Sequence, residues 1–209
     1  MAIRICHKPR PETSAYCGRG DHIVLEIGAF SYGLEFYVHW HGEPARVVIG
    51  KYCSIAEGAR FFAGAEHRTE WATTYPFSHI PDDWAELRTI GGHPATRGDV
   101  VIGNDVWLGF GCAIRSGVHV GDGAVIGMGA IVTRDVPAYA VVTGNPATVM
   151  RYRFPEDVVA RLKALAWWNL PDEVVRRLAP RLCQPLTADM MDEIIAMVPP
   201  GHRSAQLAL

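Results

Sequence analysis

Aliphatic side chains recur at every sixth position in the middle of this chain. Between 101 and 135 they are Ile102, Leu108, Ile114, Val120, Ile126 and Val132. Four positions after each of them stands a small or modest side chain: Val106, Cys112, Val118, Ala124, Ala130 and Val136. An α-helix repeats its apolar face about every 3.6 residues and a flat strand about every two, so a strict interval of six fits neither as one long element.

An interval of six is typical of short strands that each end in a tight corner. Glycine, which tolerates tight corners best, follows the first apolar residue at Gly103, Gly109, Gly121 and Gly127. Three such units form one triangular coil, and stacked coils place the aliphatic residues in a continuous inner column. The sequence therefore predicts a mainly β fold, a parallel β-helix of the hexapeptide-repeat class. An ordinary β-sandwich would show the period-two alternation that this stretch lacks.

The repeat divides the chain into three regions. Residues 1–22 are polar, contain proline and lack periodicity, so we expect an N-terminal arm that wraps one end of the coil stack. We expect the β-helix over 23–150, with a break of register between 32 and 46 and an inserted loop at 62–98. Residues 151–209 should form a C-terminal helical cap and tail, because the end coils of a solenoid need covering.

Three helices are predicted in the C-terminal region. Pro155, followed by Glu156 and Asp157, begins the first, since proline and acidic residues suit a first helical turn. The second should span about Asp172–Leu182, and the third about Ala188–Met197.

Composition and charge exclude several classes of protein. The hydrophobic fraction of 49% and the charged fraction of 20% are those of a globular protein, and a net charge of −2 offers no electrostatic basis for binding nucleic acid. No apolar run is long enough to span a membrane, and the first residues lack the apolar core of a signal peptide. Five cysteines without a Cys-x-x-Cys pair favour a reducing, cytoplasmic location. Cys53 and Cys112 fall in the inner column, where a reduced cysteine acts as a small hydrophobe.

The inserted loop carries the best candidate for a catalytic group. A long excursion without regular structure is uncommon in a compact domain unless it has a function, and sites often lie on loops of a rigid scaffold. The candidate is His67, with His79 and His93 as weaker ones and a plain surface histidine as the alternative reading. No serine or cysteine stands in a nucleophile motif, and the scattered histidines do not favour a metal site.

Five sequence features together carry a family resemblance. They are the six-residue repeat, His67-Arg68-Thr69-Glu70-Trp71 running to Tyr75-Pro76-Phe77, Asn104-Asp105-Val106-Trp107-Leu108-Gly109, Gly144-Asn145-Pro146-Ala147, and Trp167-Trp168. The chain resembles the xenobiotic acetyltransferases, the hexapeptide-repeat acyltransferases that include type B chloramphenicol and streptogramin A acetyltransferases. The resemblance extends from about Ile27 to Leu182. It implies a left-handed parallel β-helix, a homotrimer with shared sites, and acetyl-CoA as acyl donor without a metal.

The resemblance also implies roles for individual residues. His67 matches the catalytic histidine of the family, and Trp107 matches the aromatic residue near the thioester arm of the donor. The groove for pantetheine and phosphates is matched by Phe110, Met128, Thr133, Arg134, Asn145 and Arg151. Thr148 stands where relatives often carry a basic residue, so we expect Arg134 and Arg151 to contact the donor phosphates.

The expected reaction transfers an acetyl group directly to a hydroxyl of a small acceptor. Histidine suits the role of base because an unperturbed imidazole has a pKa of about 6.5 and is mostly neutral in the cytoplasm. Tyr32, Trp71, Tyr75 and Phe77 either form an apolar wall for the acceptor or pack a subunit interface.

Three functions stay open on the sequence alone. The first is O-acetylation of a xenobiotic such as chloramphenicol or a streptogramin. The second is O- or N-acetylation of a sugar or polysaccharide precursor, since an aromatic wall suits a sugar face equally well. The third is a β-helix without acyltransferase activity, such as a zinc carbonic anhydrase or a scaffold.

Overall fold

A computed structural model gives the fold, and it describes residues 2–7, 12, 14–17, 23–39, 45–79 and 84–202. These residues divide into two compact units, Met1–Arg151 and Tyr152–Leu209. The first unit is built of strands and the second is mainly helical. Within the described residues, no helix has the length and apolar character needed to cross a membrane.

Two strands precede the coil stack, β1 (Ala2–His7) and β2 (Ser14–Cys17). β2 pairs antiparallel with β3 (Ile23–Ile27), and β1 pairs antiparallel with β4 (Tyr32–His39). These two strands were not predicted, because an added edge strand is held through its backbone and needs no six-residue apolar pattern. The two strands cover the open edge of the first coil.

Three ladders of short parallel strands form the coils of the first unit. The first ladder contains β3, β5 (Val47–Ile49), β8 (Val100–Ile102) and β11 (His119–Val120). The second contains the start of β4, β6 (Ser54–Ile55), β9 (Trp107–Leu108), β12 (Val125–Ile126) and β14 (Ala140–Gly144). The third contains the end of β4, β7 (Arg60–Phe62), β10 (Ala113–Ile114) and β13 (Ile131–Val132).

The chain visits the three ladders in a constant rotation from β3 to β14. Between β13 and β14, Val136 takes the place of a strand and bridges to Val120 of the first ladder. Each circuit is one triangular coil, so the first unit is a parallel β-helix, as the six-residue repeat predicts. β15 (Ala147–Tyr152) adds an outer strand beside β14.

The inner column of this β-helix is closed to solvent. The six aliphatic residues at the repeat positions are at most 3% exposed, and the six smaller residues that follow them are at most 5% exposed. Cys53 and Cys112 lie in the same core as free thiols, as predicted. Burial raises the pKa of both thiols to about 12, so both remain protonated at neutral pH.

The break of register predicted between 32 and 46 is absent at strand β4, which continues the coil. Its Tyr32–Gly33 segment pairs with β6 and its Tyr37–His39 segment with β7, so one strand turns a corner and serves two ladders. A Cβ on Gly33 would lie 2.6 Å from the ring of Phe36, which is fully buried. Phe36 therefore fills the interior where other coils use an aliphatic repeat residue, and this exchange hides the repeat. Residues 40–44 lie outside the described residues.

Glycine serves the corners in two different ways. A Cβ on Gly103 would meet the backbone nitrogen of Asp122 in the next coil at 2.7 Å, so this glycine permits close stacking. Gly123 has a φ of +67°, which favours glycine for conformational reasons, and a Cβ there would also meet the Tyr139 ring at 2.4 Å. The sequence identified the Gly103 type, because those glycines directly follow the aliphatic repeat residue.

The insertion leaves the third ladder after Phe62 and returns to the first ladder at Val100. It includes two short 3₁₀ segments, Phe77–His79 and Ala85–Leu87, and residues 80–83 lie outside the described residues. Its base therefore lies at the corner between the third and first ladders.

The described part of the second unit contains three α-helices close to the predicted boundaries. They are α1 (Glu156–Leu165), α2 (Asp172–Leu182) and α3 (Ala188–Met197). Thr187 caps α3, because its hydroxyl oxygen accepts a hydrogen bond from the Met190 backbone nitrogen at 3.2 Å. Residues 203–209, part of the expected tail, lie outside the described residues.

The inner column should provide much of the stability of the coil stack. Replacing Ile102, which is 1% exposed, by alanine is expected to lower the free energy of unfolding by about 2–5 kcal/mol, because it leaves a cavity. Val101→Ala is the control, since Val101 is the half-buried, outward residue of the same strand. Denaturant unfolding followed by circular dichroism measures both. Equal losses for the two variants would contradict the assignment of the inner column.

Candidate active site

A pocket of about 410 Å³ opens at the base of the insertion. Its lining combines residues of the insertion with residues of the third ladder and its corner: Phe62, Gly64, Ala65, Glu66, His67, Thr69, Ala113, Arg115, Ile131 and Thr133. His67 and Thr133 are the two predicted site residues that the structure brings together here.

The two ends of the insertion meet beside this pocket. The Glu66 backbone nitrogen donates to the Ala95 oxygen at 2.9 Å, and the Ala95 nitrogen donates to the Glu66 oxygen at 2.7 Å. The Thr96 hydroxyl donates to the Ala63 carbonyl at 2.8 Å. This neck holds the residue before His67 against the returning arm of the insertion.

His67 is held in one tautomer by the backbone of its own loop. Its Nδ1 atom lies 2.6 Å from the carbonyl oxygen of Thr74. A carbonyl oxygen only accepts hydrogen bonds, so Nδ1 carries the hydrogen and the lone pair of the neutral ring is on Nε2. The ring is exposed and lines the pocket, so Nε2 is the atom able to take a proton from a bound molecule.

His93 supports the His67 ring. The two imidazoles meet edge to face with centroids 5.6 Å apart, and Trp71 packs edge-on against His93 at 4.7 Å. Both ring nitrogens of His93 are buried, and neither has a hydrogen-bond partner among the described residues. Neither His93 nor His79 lines the pocket. Within the described part of the chain, no three His, Cys, Asp or Glu side chains form a group that could hold a metal ion.

Glu66 is the main charged group of the pocket wall. Arg115 donates to it twice, from Nη2 to Oε2 at 2.7 Å and from Nε to Oε1 at 3.1 Å. Ser116 Oγ donates to Oε1 at 2.5 Å, and Arg97 Nε donates to Oε2 at 3.2 Å. Burial by itself would raise the pKa of Glu66, but these hydrogen bonds outweigh it and hold the pKa below its ordinary value. Glu66 is therefore ionised at neutral pH, and these interactions weaken only in acid.

The four predicted acceptor residues do not line this pocket. Tyr75 and Phe77 form an aromatic cluster within the insertion, together with Trp84, at centroid distances of 4.7 and 5.1 Å. Trp71 packs on His93 instead. Tyr32 lies on the second ladder, on strand β4.

Most of the predicted donor residues lie away from His67 within one chain. Trp107 belongs to the second ladder, and Phe110 and Met128 follow it at the corner towards the third; these three side chains are 57%, 56% and 75% exposed. Arg134 is exposed at the corner after β13. Asn145 lies in the turn between β14 and β15, and Arg151 lies on β15; both are exposed.

Comparison with known proteins gives the family. The family described as bacterial transferase hexapeptide (six repeats) matches residues 99–134. The chain is 43% identical over 170 residues to a chloramphenicol acetyltransferase of Agrobacterium fabrum (strain C58 / ATCC 33970), covering 75% of this chain and 80% of that one. The chain belongs to the xenobiotic acetyltransferases of the hexapeptide-repeat class.

One further relative agrees with this family, and one solved structure shares the fold. A virginiamycin A acetyltransferase of Staphylococcus aureus is 37% identical to this acetyltransferase over 164 residues, covering 74% of each chain. The solved structure of AntD, an N-acyltransferase from Bacillus cereus, superposes with a TM-score of 0.50 at 18% identity, covering 70% of this chain and 72% of that one. The second likeness concerns the fold alone. The chain is thus an acetyltransferase of the chloramphenicol and streptogramin type.

Sequence reasoning missed three polar residues of the acetyltransferase pocket region: Glu66, Arg115 and Ser116. Arg115 and Ser116 occupy the corner after β10, where a repeat sequence normally carries polar residues exposed to solvent. Glu66 precedes the predicted histidine without belonging to a motif. Only the contact between insertion and coil shows that they act together.

Proposed function

We propose that this acetyltransferase transfers the acetyl group of acetyl-CoA to a hydroxyl of a small xenobiotic acceptor of the chloramphenicol or streptogramin A type. His67 is the general base in this proposal. The observation that supports it most directly is the hydrogen bond from Nδ1 of His67 to the Thr74 carbonyl, which leaves Nε2 as a proton acceptor at the pocket. The family membership supports the choice of acceptor class.

The proton transfers follow from this arrangement. The acceptor hydroxyl gives its proton to Nε2 of His67 as its oxygen bonds to the thioester carbon of acetyl-CoA. The carbon–sulfur bond then breaks, and His67 returns the proton to the departing sulfur, so both products leave neutral at the reacting atoms. During the step the Thr74 oxygen stabilises the positive imidazolium through the Nδ1 hydrogen. Holding both substrates together supplies the remaining rate enhancement.

The donor groove of the proposal lies between two neighbouring chains, with the pocket of one chain facing the second ladder of the other. Thr133 lies at the pocket beside His67. Trp107, Phe110 and Met128 would contact the pantetheine arm, and Arg134, Asn145 and Arg151 the phosphates. These three large apolar side chains are exposed, and exposed apolar patches often mark sites for a ligand or a partner.

We further propose a homotrimer and a left-handed coil. Within one chain, Trp107 lies away from His67. In a trimer, Trp107 of one chain would lie beside His67 of its neighbour. Tyr32, Trp71, Tyr75 and Phe77 would then complete the acceptor wall or pack the interface between chains.

An acceptor panel tests the function. The purified protein is incubated with acetyl-CoA and chloramphenicol, a streptogramin A, or several amino sugars, and thiol release is followed. Mass spectrometry with hydrolysis of the product distinguishes an ester from an amide. We expect an O-acetyl product with an antibiotic acceptor. An amide, or turnover with sugars alone, would contradict the proposal.

The base is tested by His67→Ala. We expect the turnover number to fall by about 10²–10⁴-fold, the usual contribution of a general base, while the melting temperature stays near that of the wild type because the side chain is exposed. His79→Ala is the matched control, since this exposed histidine of the same insertion does not line the pocket. Turnover within a few-fold of the wild type would remove His67 from the role.

The phosphate contacts are tested by Arg151→Ala. The KM for acetyl-CoA should rise about ten- to a hundredfold, as expected for one lost charge-assisted hydrogen bond, with little change in the acceptor KM. The effect should shrink in high salt and with a dephospho-CoA donor, because screening weakens exposed charge pairs. Equal donor affinity in variant and wild type would show that the groove lies elsewhere.

The assembly is tested by light scattering coupled to size exclusion. We expect a particle of three chains, each of 23.0 kDa, because the exposed apolar residues of the second ladder need a partner. A single chain per particle at working concentration would rule out a site shared between subunits.

A further inference from the structure

A small cluster of side chains helps to fasten the insertion to the coil stack. We call it the Glu66 clamp; it consists of Glu66, Arg97, Arg115 and Ser116. Glu66 belongs to the outgoing arm of the insertion, Arg97 to the returning arm, and Arg115 and Ser116 to the corner after β10. One carboxylate thus joins three separate segments of the chain.

The contacts within the clamp are directional. Arg115 approaches both oxygens of Glu66 at 3.1 and 2.7 Å, a fork geometry that fixes the plane of the carboxylate. The Ser116 hydroxyl donates to Glu66 and also accepts from the Arg97 backbone nitrogen at 3.1 Å. The two carboxylate oxygens of Glu66 and the hydroxyl of Ser116 each take part in two hydrogen bonds. The removal of one member of the clamp therefore changes the contacts of the others.

Burial gives these contacts more weight than a surface ion pair would have. The Glu66 side chain is 22% exposed and the Arg115 side chain 39% exposed. Exposed ion pairs contribute little to stability because water screens them. A partly enclosed carboxylate with several donors is screened less, so its hydrogen bonds are harder to break. The clamp also forms part of the pocket wall, since both Glu66 and Arg115 line it beside His67.

The backbone alone already closes the neck of the insertion, through the two hydrogen bonds between Glu66 and Ala95. Those bonds set the distance between the two arms. The returning arm is also tied to the coil through the backbone, because the Gly117 nitrogen donates to the Gly98 oxygen at 2.9 Å. The clamp adds a side-chain connection from the outgoing arm to the coil, at the residue directly before His67. A displacement of about 1 Å at a reacting group can cost on the order of a hundredfold in rate.

Resting on the proposed function, we infer that Glu66 is a positioning residue. With Arg115 as its partner, Glu66 fixes the position of His67 relative to the coil and the pocket. Glu66 takes no proton in the reaction and contacts no reacting atom in this assignment. Its effect passes through the peptide bond to His67 and through the corner after β10.

Kinetics of Glu66→Ala, Arg115→Ala and the double variant test the inference. Each single variant is expected to lower kcat by about ten- to a hundredfold while the KM for acetyl-CoA changes by less than about threefold. The double variant should be no slower than the slower single variant, because both changes break one unit. Glu66→Gln keeps the shape and one accepting oxygen, so it should recover part of the lost kcat.

Arg46→Ala is the matched control. Arg46 is also an arginine of the coil with a carboxylate partner, since it binds Asp99 and Glu26 at 3.3 and 3.2 Å, but it does not line the pocket. Its kcat should stay within about twofold of the wild type. A kcat loss in Arg46→Ala equal to that of Arg115→Ala, or additive losses in the double variant, would overturn the inference. A wild-type kcat in both Glu66→Gln and Arg115→Ala would also overturn the inference. These two variants therefore test it even if Glu66→Ala fails to fold.

Hydrogen exchange of the intact protein separates this inference from the proposed function. Amides of 67–79 and 84–94 should exchange faster in Arg115→Ala than in the wild type, while those of the inner strands should not change. If the wild type acetylates no acceptor, the proposed function fails, and unchanged exchange in Arg115→Ala would independently contradict the clamp. Faster exchange together with the kcat loss supports it.

Discussion

Burial of one aliphatic side chain in every six sets the geometry on which the rest of the first unit depends. Each coil buries its inner residue against the coil beside it, and the backbone of each corner pairs with the next coil, as from Gly50 to Ile102 at 2.9 Å and from Gly103 to Val120 at 2.7 Å. A single coil is not stable by itself, because it has no neighbouring coil against which to bury its inner residue. The stack is therefore rigid at its corners, and a corner is where the insertion begins and ends.

The proposed chemistry uses this rigidity at two points. The insertion brings His67 to the corner between the third and first ladders, and the Thr74 carbonyl sets the tautomer of its ring. Thr133, directly after the last strand of the third ladder, lines the same pocket. A mobile loop alone would hold neither relation, because an exposed imidazole can rotate and exchange its proton between the two nitrogens. Backbone contacts from the loop and polar contacts from the coil together give an exposed histidine a fixed orientation.

The parts of this protein that follow a local pattern were predictable from its sequence, and the parts that depend on contacts between distant segments were not. The inner column and the three helices follow from the spacing of apolar residues and from helix-start signals such as Pro155. Phe36 was not recognised as a core residue, because it occupies the space left by Gly33 and thus breaks the repeat in sequence while preserving it in space. His67 could be chosen because the insertion has no role in the repeat. Glu66 could not, since its partner Arg115 is remote in the chain and ordinary in its local context. The roles of Trp107, Phe110 and Met128 remain predictions, because one chain does not bring them to His67.

The most direct test of this account is the protonation state of His67 in solution. Nitrogen NMR of protein labelled at the histidine rings, with the His67 signals assigned by comparison with His67→Asn, reports which ring nitrogen carries the hydrogen at neutral pH. We expect neutral His67 to carry it on Nδ1 and to present an unprotonated Nε2, because Nδ1 donates to the Thr74 carbonyl. A neutral ring with its hydrogen on Nε2, or an averaged mixture of the two tautomers, would contradict the claim that the loop presets His67 as a base.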